Sequence, residues 1–120
     1  MSDEILVSMS IYVQKGSSNP IDITIHRQYI DMTGDIYQFS QQSVGTSAEN
    51  LEQHADMGTV GIVYAHNLDT TNFVVFGDSA DAPSIKLLAD QWFLAPWGAA
   101  EVSAKADTAA CIVEYLLIEL

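Results

Sequence analysis

Apolar and polar residues alternate with a period of two along most of this chain, which is how a strand with one buried face reads. In ILVSMSIYV (5–13), Ile5, Val7, Met9, Ile11 and Val13 fall on one side, with Ser8 and Ser10 on the other. GSSNP interrupts the pattern, since Gly16 and Pro20 both punctuate. IDITIHRQYI (21–30) resumes it, with Ile21, Ile23 and Ile25 expected inward and Asp22, Thr24 and His26 outward. After a turn at MTGD, IYQFSQQSV puts Tyr37 and Phe39 on one face, a third strand by Val44.

TSAENLEQHAD is the one helical candidate. Thr46 and Glu49 have capping-box spacing, but a single leucine gives no apolar stripe, so one or two turns at most are expected. GTVGIVYAH then reads as a strand with Val60, Ile62 and Tyr64 together, and Gly58 and Gly61 predict a bulge or a close backbone approach. FVVF, SIKLL and WFLAPW follow as short strands, with turns at GDSADAP and ADQ. EVSAKA alternates again, sending Val102, Ala104 and Ala106 inward, and ACIVEYLLIEL closes the sequence.

Eight or nine short strands about ten residues apart, with no helix to cover a sheet, predict an all-β sandwich or barrel. Jelly-roll topology suits that count. At 120 residues the chain reads as one β-sandwich domain, residues 1–120.

The last strand is apolar on both sides. Ile112, Leu116, Ile118 and Leu120 share one face; Val113, Tyr115 and Leu117 share the other. Such a strand needs cover on both faces. Either it is central and re-registered by a bulge, or one face meets a neighbouring subunit. Trp92 and Trp97 in WFLAPW carry a related ambiguity. Strand tryptophans belong in a core or a subunit interface, while exposed ones on a sandwich can stack on sugar rings. The candidate interface set is therefore Trp92, Trp97, Tyr115, Leu117, Ile118 and Leu120.

Composition narrows the partners. The net charge is −12, and the four basic residues, Lys15, Arg27, Lys86 and Lys105, are scattered along the chain. Nucleic acid and anionic membrane require clustered Lys or Arg, so neither is expected as a partner. The acidity reads as a solubility device, or else as a surface for docking on a basic partner. A hydrophobic content of 48% is enough for a packed core. Cys111 is alone, which excludes an intrachain disulfide and a multi-cysteine zinc site; in AACIVEYLL it reads as a buried, inert thiol. MSDEILV has acids where a secretory signal would need lysine or arginine, so synthesis in a reducing cytoplasm is expected. No apolar run approaches the ~20 residues of a membrane helix.

Chemistry is sparse. GxxxxGK, GxGxxG and GxSxG are all missing from the sequence. His26, His54 and His66 form no HxH or HExxH pair, and surface or edge positions are their default. Asp31–Asp35 lacks the acid series of a calcium loop. The sixteen carboxylates include no pair in a recognisable apolar pocket. A non-catalytic protein without cofactor or metal is expected. The polar loop NLDTTN (67–72) between two strands reads as architecture. Asn67, Asp69 and Asn72 can each bond the backbone two residues on, and a cation held by Asp69 and Asp78 is the alternative.

GTVGIVYAHNLDTTNFVVFG followed by AEVSAKADTAACIVEYLLIEL resembles the small virion structural proteins of tailed bacteriophages. The matching residues are Gly58, Gly61, Asn67, Leu68, Asp69, Asn72, Gly77, Lys105, Ala106, Glu114, Tyr115 and Glu119, within residues 46–120. LADQ stands where the family has a proline-glycine-acid turn before WFLAPW, so a loop-borne function there is not carried over. The resemblance implies a virion protein that binds itself, as a homotrimer, and the major capsid protein or another virion protein. Within that class it implies a capsid decoration or cement protein, with a tail, baseplate or head-fibre component, or a glycan-binding sandwich, as the alternatives.

Overall fold

The structure, a computed structural model, describes residues 4–17 and 19–120; Ser18 of the GSSNP break and the first three residues of the acidic start lie outside the described residues. Among the described residues the alternating segments become ten strands and no helix. They are β1 (Ile5–Val13), β2 (Ile21–Ile30), β3 (Tyr37–Val44), β4 (Glu49–Asn50), β5 (Val60–Asn67), β6 (Val74–Gly77), β7 (Pro83–Leu87), β8 (Trp92–Ala99), β9 (Ser103–Ala106) and β10 (Cys111–Glu119). The chain divides into two units, one ending at Thr33 and the other spanning Gly34–Leu120.

In the first unit β1 and β2 pair only with each other, antiparallel. Ser8 stands opposite both His26 and Arg27, a bulge in the ladder between Val7 and Met9. Arg27 takes a positive φ of 49° there, and its N–H donates to Ser8 Oγ at 3.2 Å. Across the bulge one face stays mostly apolar, pairing Ile5 with Ile30, Met9 with Ile25, Ile11 with Ile23 and Val13 with Ile21, with Gln28 opposite Val7 the polar exception. The inward placement expected for the β2 isoleucines does not occur: a two-stranded ribbon has no second layer of its own. Ile21 and Ile23 accordingly remain 57% and 49% exposed.

The second unit is the sandwich. Its sheets have the orders β3–β10–β5–β8 and β4–β9–β6–β7, with every pairing antiparallel. The pairs β3–β10, β4–β9, β5–β8 and β6–β7 mirror one another about the middle of this unit, so the chain is one long antiparallel ribbon rolled up. Pairing of β5 with β10 and of β6 with β9 closes the roll. This is a jelly roll.

Both inner faces supply one core. Val113, Tyr115 and Leu117 of β10 meet Val63 and Ala65 of β5, Val74 and Phe76 of β6, and Ala104 and Ala106 of β9 in a single buried cluster. Small alanines stand opposite the large rings, Ala104 beside Phe76 and Ala65 beside Tyr115, which leaves the rings room in the core. The Tyr115 hydroxyl donates to the Glu52 carbonyl at 2.7 Å, which satisfies the one polar atom this ring brings inside. Burial pushes its phenol above the usual range.

The helix expected over TSAENLEQHAD is replaced by β4 and an extended segment, because competing partners take its groups. Glu49, the would-be capping acid, accepts from the Gly45 N–H at 3.1 Å and from Gln42 Nε2 at 2.9 Å. Gln42 and Gln38 then treat the segment as a strand. Gln42 donates to the Asn50 carbonyl at 3.1 Å and accepts from the Glu52 N–H at 2.7 Å; Gln38 does the same with the Glu52 carbonyl and the His54 N–H. Backbone engaged in this way has nothing left for an i to i−4 ladder.

Val60, Ile62 and Tyr64 do not share a face either. A bulge between Val60 and Ile62 puts Val60 in the core cluster and turns Ile62 and Tyr64 to the outer face, where Ile62 is nevertheless buried. Gly61 sits at that bulge against the Leu120 side chain, in space a Cβ would need.

β10 makes eight register pairs with β3, and it also pairs with β5. Ending the chain at Glu114 removes the Tyr115 to Ile118 half of both ladders, and Tyr115 and Leu117 with it. We expect no cooperative thermal transition from this truncation. A soluble product with the native β signal in circular dichroism would show that the C-terminal half of β10 is dispensable.

Candidate functional site

The loop at 67–72 is built around a buried amide. Asn67 is fully buried at the end of β5, and its Nδ2 donates toward three carbonyls, Asn72 at 2.9 Å and Leu87 and Leu88 at 3.2 Å. Its Oδ1 accepts from the Asp69 N–H at 3.0 Å. Asp69 Oδ2 in turn accepts from the N–H groups of Thr71 at 3.0 Å and Asn72 at 2.6 Å. These two donors hold the Asp69 carboxyl below its ordinary range, Asn72 contributing most. Asn72 does not bond two residues on; its Oδ1 accepts from the Thr108 hydroxyl at 3.0 Å, tying the loop to the turn before β10. The loop therefore joins β5, β6 and the β7–β8 turn with its own atoms.

A second carboxylate with this role has no signature in the sequence. Glu119 Oε1 accepts from the Asp35 N–H at 2.9 Å and Oε2 from the Gly58 N–H at 2.7 Å. The Gly58 and Asp35 donors hold this carboxyl below its ordinary range. Gly34 lies so close to the Glu119 side chain that a Cβ would collide with it. The clamp fastens the end of β10 to the entry of β3 and the approach to β5, and only three-dimensional proximity could have revealed it.

The six candidate interface residues separate. Tyr115 and Leu117 lie in the core, so they cannot be offered to another chain while the sandwich is folded. Trp97 packs against the same core, 6.3 Å from the Phe93 ring centroid, and its Nε1 donates to the Glu101 carbonyl at 3.1 Å. Trp92, Ile118 and Leu120 remain outside the core cluster; Trp92 and Leu120 are exposed, whereas Ile118 is buried at 7% exposure.

Trp92 and Ile118 belong to a larger surface. Strand register aligns Tyr37, Ile118, Ile62 and Pro96 in one row across the outer face of β3–β10–β5–β8. The next row is Phe39, Leu116, Tyr64 and Leu94, and the third is Gln41, Glu114, His66 and Trp92. Two successive rows contain no charge. Tyr64 donates to Glu114 Oε1 at 3.2 Å, and His66 Nε2 lies 2.9 Å from Asp90 Oδ1, so polar groups at this margin have partners. Tyr37 and Phe39 both lie on the edge strand, where the sequence had marked only a shared face.

The opposite sheet has a different outer face. Lys86 and Lys105 flank Val75 there on its two neighbouring strands, although they are far apart in sequence. Lys86 also sits 4.2 Å from the Phe73 ring centroid. A shallow groove of about 310 Å³ lies beside Gly77, Asp78, Ser84 and Trp97. Among the described residues no three His, Cys, Asp or Glu side chains converge as metal ligands would. Cys111 is buried, and burial pushes its thiol up, away from the reactive thiolate.

Fold and site together define a jelly-roll sandwich with one apolar and one polar outer face. Compared with family models, curated proteins and solved structures, the chain matches none.

Two predictions come from the clamps. Asn67→Ala leaves buried carbonyls without a donor and should destabilise the fold by about 1–3 kcal/mol. Asn67→Asp should be worse, because it aims a second carboxylate oxygen at three carbonyl oxygens; equal melting temperatures for the two variants would refute the hub. For acid stability, Asp69 and Glu119 have folded-state values below their unfolded ones. Their contribution is present above the ordinary carboxylate range and is lost as pH falls through the depressed values. Glu119→Gln should flatten that acid-side decline in a melting series, and a decline as steep as the wild type's would remove Glu119 from the account.

Proposed function

We propose that this protein is a non-catalytic structural component of a tailed-phage virion, and within that class a capsid decoration protein that assembles as a homotrimer on the outside of the shell. The observation that carries the reading is the contrast between its two sheet faces. Two charge-free rows of large apolar side chains on one side are more than singly scattered surface hydrophobes, and contiguous patches of this kind mark contact surfaces. Jelly rolls serve as viral-shell domains and also as lectins, so the fold permits the reading without selecting it. The sequence resemblance over residues 46–120 supplies the virion context. The clamped loop at Asn67 fits a brick, since its polar atoms are spent on the chain's own backbone rather than presented to a ligand.

The reading is tested by mixing purified protein with empty expanded shells of the same phage and following co-sedimentation and the shell's heat resistance. Saturable binding at regular sites, with a raised shell melting temperature, is the expected result. Protein that ignores shells but binds isolated tails would move it to the tail or fibre. Trp92 quenching by soluble glycans, with no binding to either particle, would favour a glycan-binding sandwich.

A further inference from the structure

We propose that the outer face of the β3–β10–β5–β8 sheet is covered in solution by a second copy of this chain. The inference deepens the assembly reading above and rests on it for the number of copies.

Size is the first argument. Tyr37, Phe39 and Trp92 are 70%, 63% and 59% exposed on this face. At about 200 Å² per large aromatic side chain, these three alone leave roughly 380 Å² in water. That equals the largest patch of a typical monomer, about 300–600 Å², before Leu94, Tyr64, Leu116 and Pro96 are counted. Leu94 adds a further 43%-exposed side chain, whereas Ile62 and Ile118 at the centre of the first row are only 7% exposed, so the face supplies a substantial part, not all, of the ~800 Å² that each partner contributes to a standard interface.

Charge chooses the occupant. Two copies of a chain with net charge −12 repel wherever carboxylates face one another. Of the sixteen acidic residues, the three outer rows hold only Glu114, with Asp90 at their margin against His66. Glu114 is aligned with His66 and accepts the Tyr64 hydroxyl. A basic partner drawn by the protein's acidity would seek the carboxylate-rich surfaces elsewhere. The charge-depleted face is the place where a like-charged copy meets least repulsion and gains most from excluding water. Aromatic side chains with depleted charge are also the composition of interface centres.

Sedimentation equilibrium of the full chain over a concentration series tests this. The wild type should self-associate. Phe39→Glu and Leu94→Glu, both at exposed positions, should each weaken association about tenfold or more. Ser84→Glu, which adds the same charge on the exposed surface of β7, should leave it unchanged. Near-UV circular dichroism checks that the variants are folded. If either fails to fold, a dilution series of the wild type decides. Trp92 emission should shift to the red as copies separate, and Trp92→Phe should abolish that shift.

A wild type that stays monomeric at high micromolar concentration overturns the proposal, as does association insensitive to both face substitutions. Association through this face without shell binding would keep the inference and remove the virion reading. Shell binding by a monomer would do the reverse.

Discussion

The sandwich depends on the double pairing of its C-terminal strand. β10 stands between β3 and β5, so one strand supplies the ladder partners for the first strand of the roll and for its centre. Its inner side chains fill the core, and Tyr115 reaches across to the carbonyl of Glu52. Glu119 at its end then takes up N–H groups that no strand pairs. Ladder, core and clamp thus converge on nine residues. These contacts join segments far apart in sequence, so their loop-closure cost must be met before the contacts are worth anything.

A central strand explains half of the two-sided apolarity of β10. Its inner face belongs to the core. Its outer face, with Leu116 and Ile118, continues across Tyr64 and Ile62 to Leu94 and Pro96 and, on the other side, to Phe39 and Tyr37. Of the two explanations weighed for this strand, a central place with a bulge is seen directly: β10 pairs on both sides, and its register with β5 shifts between Ile118 and Glu119. The second sheet has no such surplus: lysines flank Val75 on its outer side, and β4, at its edge, is two residues long. Short edges resist unplanned strand addition. One outer face thus carries two charge-free apolar rows and the other carries lysines.

Local chemistry made the Asn67 loop legible. Asn and Asp beside a strand end bond nearby backbone whatever surrounds them, so NLDTTN could be read as self-satisfied from its residues alone. Its depth could not be read. That Asn67 is buried and serves Leu87 and Leu88 follows from the β7–β8 turn arriving there. Three of the interface candidates went to the core for a similar reason. Apolarity of Tyr115, Leu117 and Trp97 says that they need cover, without saying whether the cover is their own chain or another. The helix at 46–56 failed because Gln38 and Gln42, outside the segment, compete for its backbone.

What the sequence determined by itself was the period-two alternation, and with it an all-β chain of short strands, a buried lone thiol and a polar loop that holds itself together. Alternation fixes which side chains lie together on a strand, because successive residues point to opposite faces. The tertiary structure decided what lies against each face. It turned Val60 inward at the Gly61 bulge, brought Lys86 and Lys105 to either side of Val75, and gave Glu119 its two backbone donors. It also aligned Tyr37, Phe39, Leu94 and Trp92 on one outer face. Each of these depends on register between distant strands, which is a property of the pairing and not of any one strand.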